Sequence, residues 1–247
     1  MANLLDQLDK NLLSLVSQSG RIAAQLNYQA YLVGGPVRDL MLERSNVDLD
    51  ITVEGNAIRL AGLVAKENPG ATLVEYPAFR TATVSLPDGR TLDFATARTE
   101  TYVKGGAYPA VVPSDIYDDL FRRDFTINAM ALSINPDTWG QLTDPFDGSN
   151  DLKAKKIRIL HEQSFEDDPT RIIRAARFKA RLGFTMDQGT LAVLKQAVKT
   201  DVLLTIKKQR YAKEFNKILN EEHSEEAIKC LKAWNAYLDC AKQAKED

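Results

Sequence analysis

The feature that most narrows the fold is a change of apolar rhythm near residue 150. Before it, short runs of strand character alternate with helical stretches; after it, the strand patterns stop. Residues 30–33 are a compact apolar run that meets Gly34-Gly35-Pro36, which reads as a strand, a tight turn and a helix over 37–42. Residues 47–53 alternate with a period of two, which sets Asp48 and Asp50 on one face and Val47, Leu49, Ile51 and Val53 on the other. Residues 81–86 and 91–96 flank Pro87-Asp88-Gly89-Arg90, a hairpin signal. Helical spacing covers 4–26, with Gly20 expected to interrupt it, and 56–67. Residues 99–120 hold Gly105, Gly106, Pro109 and Pro113 without a period and read as a long loop. Residues 123–135 are a further apolar stretch, ahead of a turn at 144–148. Beyond 150, the patterns at 169–182, 187–199, 206–219 and 224–243 are all helical. The fold class is therefore α+β, a mixed sheet flanked by helices followed by an all-α part, with a boundary between 145 and 165.

Charge follows the same division. The whole chain of 247 residues balances 32 basic against 34 acidic side chains, yet residues 1–150 hold 12 basic and 19 acidic, and residues 151–219 hold 16 and 8. A stretch that basic is either a polyanion-binding surface or a solvated cationic helix face, and charge alone leaves both open. The 44% of hydrophobic residues suffices for a core, and no apolar run approaches the roughly 20 residues that span a bilayer. The first fifteen residues carry early acids and no basic start, so no secretory signal is expected. Cys230 and Cys240 are the only cysteines; they allow one bridge but neither a disulfide framework nor a zinc site. A soluble, cytoplasmic protein is the expectation.

Asp48 and Asp50 carry the most chemical information. Two residues apart on a strand, they share a face about 6–7 Å apart and repel each other unless a positive group lies between. A divalent cation answers that repulsion, and oxygen-only ligation favours Mg²⁺. The alternative is an edge strand with an acidic solvated face. Gly34-Gly35 before a helix lets backbone N–H groups approach a phosphate, with Arg38 one turn on and Asp39 as a partner to hold that arginine. Asp93 supplies a third acid if its strand neighbours the first.

Taken together, Gly34-Gly35-Pro36-Val37-Arg38-Asp39 and Asp48-Leu49-Asp50 resemble the signature of class II tRNA nucleotidyltransferases and bacterial poly(A) polymerases, within the polymerase-β-like nucleotidyltransferase superfamily. Further blocks follow in the family's order. Arg122-Arg123-Asp124-Phe125-Thr126-Ile127-Asn128-Ala129 is similar to its RRDFTxNA element, and Asp167-Asp168-Pro169-Thr170-Arg171 to its acidic-x-x-Arg element. Asp144-Pro145-Phe146-Asp147-Gly148 resembles the block joining head to neck, with Asp147 where the family usually has glycine. Residues 205–215 resemble the last block with Gln209 in place of the usual acid.

The resemblance implies a nucleotidyltransferase head over 1–145, a helical neck that recognises the nucleotide base over 146–219, and a short helical body remnant over 220–247. It implies that Asp48 and Asp50 hold Mg²⁺, with Asp93 as a further catalytic acid. It places Gly34, Gly35, Arg38, Arg123, Asp124 and Asn128 on the ribose and phosphates. Asp168 and Arg171, helped by Asp167, read the base, while Arg174 and Arg177 hold the nucleotide on a helix whose arginines fall within about a 120° arc. Physically, Asp168 also caps that helix ahead of Pro169, and Arg210 with Glu214 forms a structural pair. The implied activity is addition of A, or of the whole CCA end, to tRNA from ATP and in the second case CTP. The segment after 99 corresponds to the family's flexible loop for A addition. A poly(A) polymerase of the same fold and a non-catalytic RNA-binding relative are the alternatives. Family members commonly continue through further helices that grip the tRNA elbow, so a shortened or differently gripping chain is expected.

Overall fold

The computed structural model describes residues 3–44, 49–101 and 110–238. The chain divides into two compact units, residues 1–100 with 111–149, and residues 101–110 with 150–247.

The first unit opens with a short 3-10 turn, Leu4–Gln7, and helix α1 (Lys10–Gln25), capped by the Asp9 carboxylate, which accepts from the Asn11 and Leu12 N–H groups. Gly20 does not interrupt α1. A Cβ at that position would lie 1.8 Å from the Ile134 carbonyl oxygen, so glycine is what lets the helix rest on that backbone. Strand β1 (Gln29–Val33), α2 (Gly35–Met41), β2 (Leu49–Glu54), α3 (Ala57–Glu67), β3 (Thr72–Tyr76), β4 (Thr81–Ser85) and β5 (Thr91–Thr96) follow. The stretch expected to be a long loop is largely structured where it is described. β6 (Arg98–Thr101) and β7 (Ala110–Pro113) pair as a ribbon, and α4 (Ile116–Phe121) is capped by Asp115. Thr99, Thr101, Val111 and Val112 are β-branched, which favours pairing even without alternation. Gly105, Gly106 and Pro109 lie outside the described residues. β8 (Ala131–Ser133) and β9 (Leu142–Thr143) complete a seven-stranded sheet in the order β3-β4-β5-β2-β1-β8-β9.

The pairing of β2 with β5 is parallel, whereas β1–β2, β1–β8, β3–β4, β4–β5 and β8–β9 are antiparallel. This mixed sheet carries its core on one face: Leu49, Ile51 and Val53 of β2 and Leu92 and Phe94 of β5 are buried, as are Leu60, Ala61 and Val64 of α3. Burial of each Leu, Ile, Val or Phe side chain among them contributes about 1.5–3 kcal/mol. The opposite face of β2 and β5 is thereby left for polar residues.

The second unit is helical. α5 (Gly148–Lys153) crosses the division, and α6 (Ser164–Asp167), α7 (Thr170–Leu182), α8 (Gln188–Lys199), α9 (Lys208–Leu219) and α10 (Ser224–Ala233) follow. Two strands do occur past 150, contrary to expectation: β10 (Lys156–Ile157) and β11 (Thr185–Met186) pair in parallel. At two residues each they are too short to print a period. Gly183, at φ +68°, closes α7 in the left-handed conformation. α10 ends at Ala233 rather than near 243, with Trp234 as its cap; residues 239–247, including Cys240, lie outside the described residues. Cys230 is a free, half-buried thiol. No described helix is long and apolar enough to cross a membrane.

Candidate active site

On β2 the period of two separates core from site. Asp50, Thr52 and Glu54 share the face opposite Leu49, Ile51 and Val53. Helix α4 lies over part of that face: the Glu54 carboxylate accepts the Ile116 N–H at 2.8 Å, and the Thr52 hydroxyl donates to Asp119 at 3.4 Å. Asp50 lies near the start of the strand. The parallel register pairs it with Asp93 of β5, so the expected neighbouring of the two strands holds and both carboxylates stand on one face. Adjacent strands are about 5 Å apart, a separation at which two like charges repel. Asp93 is exposed and accepts from the Thr83 hydroxyl of β4. Asp48 lies outside the described residues. Among the described residues no three metal-ligating side chains come together. The Asp50–Asp93 pair is an all-oxygen donor set suited to a hard divalent cation.

The glycine turn adjoins this pair. β1 runs antiparallel to β2, from Gln29 beside Glu54 to Leu32 beside Ile51, so the chain leaves β1 at the end where β2 begins. Gly34 has φ +71° and ψ −127°, a backbone conformation that side chains disfavour. A Cβ there would meet Nη1 of Arg123 at 2.7 Å. Glycine is thus required twice, for the turn and for the passage of the Arg123 guanidinium. The Gly34 N–H donates to the Met130 carbonyl at 3.2 Å, so of the two glycines it is Gly35 whose N–H stands at the start of the helix.

The RRDFTxNA-like block divides into two clusters. Arg38 is 3% exposed; its Nε and Nη2 donate to the Asp39 carboxylate, each at 2.9 Å, and Nη1 donates to Oδ1 of Asn128 at 2.6 Å. Asn128 donates in turn to Asp124 at 2.9 Å, and Asp124 also accepts the Phe125 N–H. Asp39 holds Arg38, as its place in the sequence implies. However, Arg38, Asp124 and Asn128 bond to one another beneath the turn, an arrangement that braces it.

Arg123 belongs to the other cluster. Its Nη2 donates to Asp119 at 2.9 Å, while its Nε is buried without a hydrogen-bond partner. Asp119, which sequence reasoning missed, is 0% exposed and also receives Nε and Nη2 of Arg122 at 3.0 and 2.7 Å. Burial pushes its carboxyl up, but the guanidiniums of Arg123 and Arg122 outweigh that and hold it below the usual carboxylate range. The available signal was an acid three and four residues before an arginine pair at a helix end.

In the helical unit, Oδ1 of Asp168 accepts the N–H and hydroxyl of Thr170, the first residue of α7, at 3.0 and 2.7 Å, and also Nη2 of Arg210 at 3.0 Å; the N-cap of α7 is Pro169 rather than the expected Asp168. Arg210 thus reaches Asp168; Glu214, expected as its partner, receives Lys217 at 2.6 Å and lies 3.8 Å from Arg174. Arg171 is 4% exposed and donates to the Ser164 hydroxyl at 2.7 Å. Asp167 lies 4.0 Å from Nε2 of His161, whose imidazole is pushed below its usual value by burial and by Arg171. Arg177 and Arg181 approach Glu221 at 3.0 and 3.9 Å, and Arg174 and Arg177 lie against the Phe178 ring. The arginine arc is therefore matched by acids of α9 and the turn after it.

The Poly A polymerase head domain family matches residues 30–158, just over half of the chain. An A-adding tRNA nucleotidyltransferase of Aquifex aeolicus is 45% identical over 206 residues, 83% of this chain and 25% of that protein. Another A-adding tRNA nucleotidyltransferase, from Halalkalibacterium halodurans, is 39% identical over 245 residues, 96% of this chain and 57% of its own length. The chain thus spans from a quarter to just over half the length of these relatives. A solved structure of a CCA-adding enzyme without ligand superposes with a TM-score of 0.88 at 42% identity, covering 94% of this chain and 55% of that one.

Proposed function

The chain belongs to the Poly A polymerase head domain family, and we propose that it transfers AMP from ATP to the 3′ hydroxyl of a tRNA, releasing pyrophosphate. The observation that carries this reading is the Asp50–Asp93 pair at the sheet end from which the Gly34–Gly35 turn departs, with Arg123 lying across Gly34. Carboxylates alone repel a triphosphate, and cationic donors alone do nothing to a hydroxyl; transfer calls for both. Asp48 and Asp50, with Asp93 beside them, would hold Mg²⁺, which when bound neutralises triphosphate charge and makes the attacking hydroxyl more acidic.

The chain's own residues then position the reactants. Nε of Arg123 and the Gly35 N–H bind triphosphate oxygens, and Arg38, Asp124 and Asn128 keep the turn in the shape this needs. In the helical unit, Asp168 and Arg171 present an acceptor and donors to a base edge, helped by Asp167, while Arg174 and Arg177 exchange part of their pairing with Glu214 and Glu221 for the nucleotide. The division of labour is a catalytic head over 1–145, a base-reading neck over 146–219 and a short body part over 220–247, working in the cytoplasm. Both relatives described above carry A-adding names, which favours A addition. The likeness to a CCA-adding enzyme supports a second reading in which CTP is also used.

The test supplies tRNAs lacking one or three terminal nucleotides with ATP and CTP separately. A single A on the tRNA ending in CC is the expected result, and incorporation of C would move the reading to full CCA addition. Long A tails on both tRNA and an unrelated RNA would reject it in favour of a poly(A) polymerase. Asp50→Ala is expected to lower incorporation by about three orders of magnitude, the scale of losing several kcal/mol of transition-state charge stabilisation, with thermal stability unchanged.

A further inference from the structure

Arg98, Glu100, Arg122, Asp119 and Arg123 form one continuous chain of ion pairs within the sheet-bearing unit. A single carboxylate oxygen of Glu100 receives Nη2 of Arg98 at 3.0 Å and Nη1 of Arg122 at 3.1 Å. Arg122 passes the contact to Oδ1 of Asp119 at 2.7 Å, and the other Asp119 oxygen holds Arg123 at 2.9 Å. The far end is anchored as well, since Nη1 of Arg98 donates to the Phe79 carbonyl at 2.9 Å. Both acids are enclosed, with Asp119 at 0% and the Glu100 side chain at 8% exposure. Three guanidiniums against two carboxylates leave one excess positive charge. The end of the chain that reaches the glycine turn carries the orphaned Nε of Arg123.

Resting on the nucleotidyltransferase reading, we propose that Glu100 is a positioning residue for the triphosphate, acting through Arg122 and Asp119 to aim Arg123 across Gly34. A guanidinium is a planar fork whose orientation is set by the groups its N–H donors engage, and Arg122 is engaged on both sides. Asp119 fixes one side and Glu100 the other. Loss of Glu100 takes a fixed contact from Nη1 of Arg122, and the resulting shift passes to Asp119, which is hydrogen-bonded to two other nitrogens of that fork. Arg123, held by the second oxygen of the same carboxylate, then loses its place over the turn.

Charge and position make opposite predictions here. Glu100→Gln removes a negative charge near the site, so a purely electrostatic role tightens the grip on a polyanion. A positioning role loosens it. The expected result is that Glu100→Gln raises both the KM for ATP and the Kd of a non-hydrolysable ATP analogue about fivefold, with kcat and the KM for tRNA within about twofold. Glu100→Asp restores part of the loss. In combination with Arg123→Lys, Glu100→Gln adds little to what Arg123→Lys does alone, because both act on one contact. Should Glu100→Gln fold poorly, Arg122→Lys keeps the charge but not the fork, and the same rise in the ATP-analogue Kd is expected.

Unchanged or tighter analogue binding in these variants, with wild-type protein that incorporates A, overturns the proposal and leaves the function standing. Wild-type protein that neither binds the analogue nor extends tRNA overturns both.

Discussion

Arg38, Arg122 and Arg123 of the sheet-bearing unit each pair with an acid one to four residues away, Asp39 or Asp119, and Glu100 of β6 adds a second hold on Arg122. In the helical unit the partners are remote. Arg174 meets Glu214, Arg177 and Arg181 meet Glu221, and Asp168 meets Arg210, pairs separated by about forty residues of chain. The local pairs enclose their acids and are built on one element or turn, so they form as that element forms. The remote pairs lie in a more accessible setting and exist only once α7 and the segments after it have packed together. On the proposed function, a triphosphate grip calls for groups that do not move, as in the first arrangement, and a base-reading surface for groups that exchange one partner for another, as in the second.

The sharpest way to break this comparison is to remove one arginine of the buried kind. Arg38→Met takes from the buried Asp39 carboxylate the two hydrogen bonds of the Arg38 guanidinium, and from the Asn128 carbonyl oxygen the Arg38 donor. Removing one partner of a buried ion pair costs about 3–5 kcal/mol, read as a fall in the urea midpoint without a change in slope. A loss no larger than that of an exposed pair would show that the brace beneath the glycine turn is dispensable.

Much of the site was legible in the sequence because its signals are short. The strand–glycine–helix passage at 30–42, the alternation around Asp50 and the hairpin at 81–96 each depend on neighbours within a few residues, and each stands in the structure. What was not legible depends on distance. Gly20 reads as a helix breaker until Ile134 is known to press against it. The placing of β5 beside β2, which brings Asp93 to Asp50, follows from sheet order, and sheet order leaves no local mark. Arg210 looked like the partner of Glu214 because four residues separate them, yet it reaches Asp168 ahead of α7 instead. Asp119 falls between these cases, near in sequence to its arginines but hidden in a run of acids.

The half-buried kind of pair gives a smaller effect. Glu221→Gln removes one charged partner of Arg177 and Arg181, yet Arg181 retains access to water and Arg177 keeps its place against the Phe178 ring. The expected cost is about 1 kcal/mol, diminished further by added salt. Nucleotide binding, where present, is expected to survive, since the arginines are released rather than lost. A penalty as large as that of Arg38→Met would erase the distinction between the units.

The smallest effect concerns acid, and it separates the units by pH window. Asp119 has a folded-state pKa below the ordinary 3.8, so its contribution is complete above that value and is lost only as pH falls through the lowered one. His161 also has a lowered pKa, below the ordinary 6.5, because burial and Arg171 disfavour the imidazolium. For a histidine this means that the stability present above 6.5 is lost as pH falls through the folded value, well before Asp119 begins to titrate. Asp167 and the hydrogen bond to Gln163 oppose the shift without reversing it. The chain has two tryptophans, Trp139 in the sheet-bearing unit and Trp234 in the helical one, so Trp139→Phe and Trp234→Phe each leave a reporter of one unit. Between pH 7.5 and 5.5 the urea midpoint followed at Trp234 is expected to fall more than that followed at Trp139, and His161→Gln removes the difference. A fall at Trp234 that persists in His161→Gln would assign the acid sensitivity to another group and leave the imidazole without a part in it.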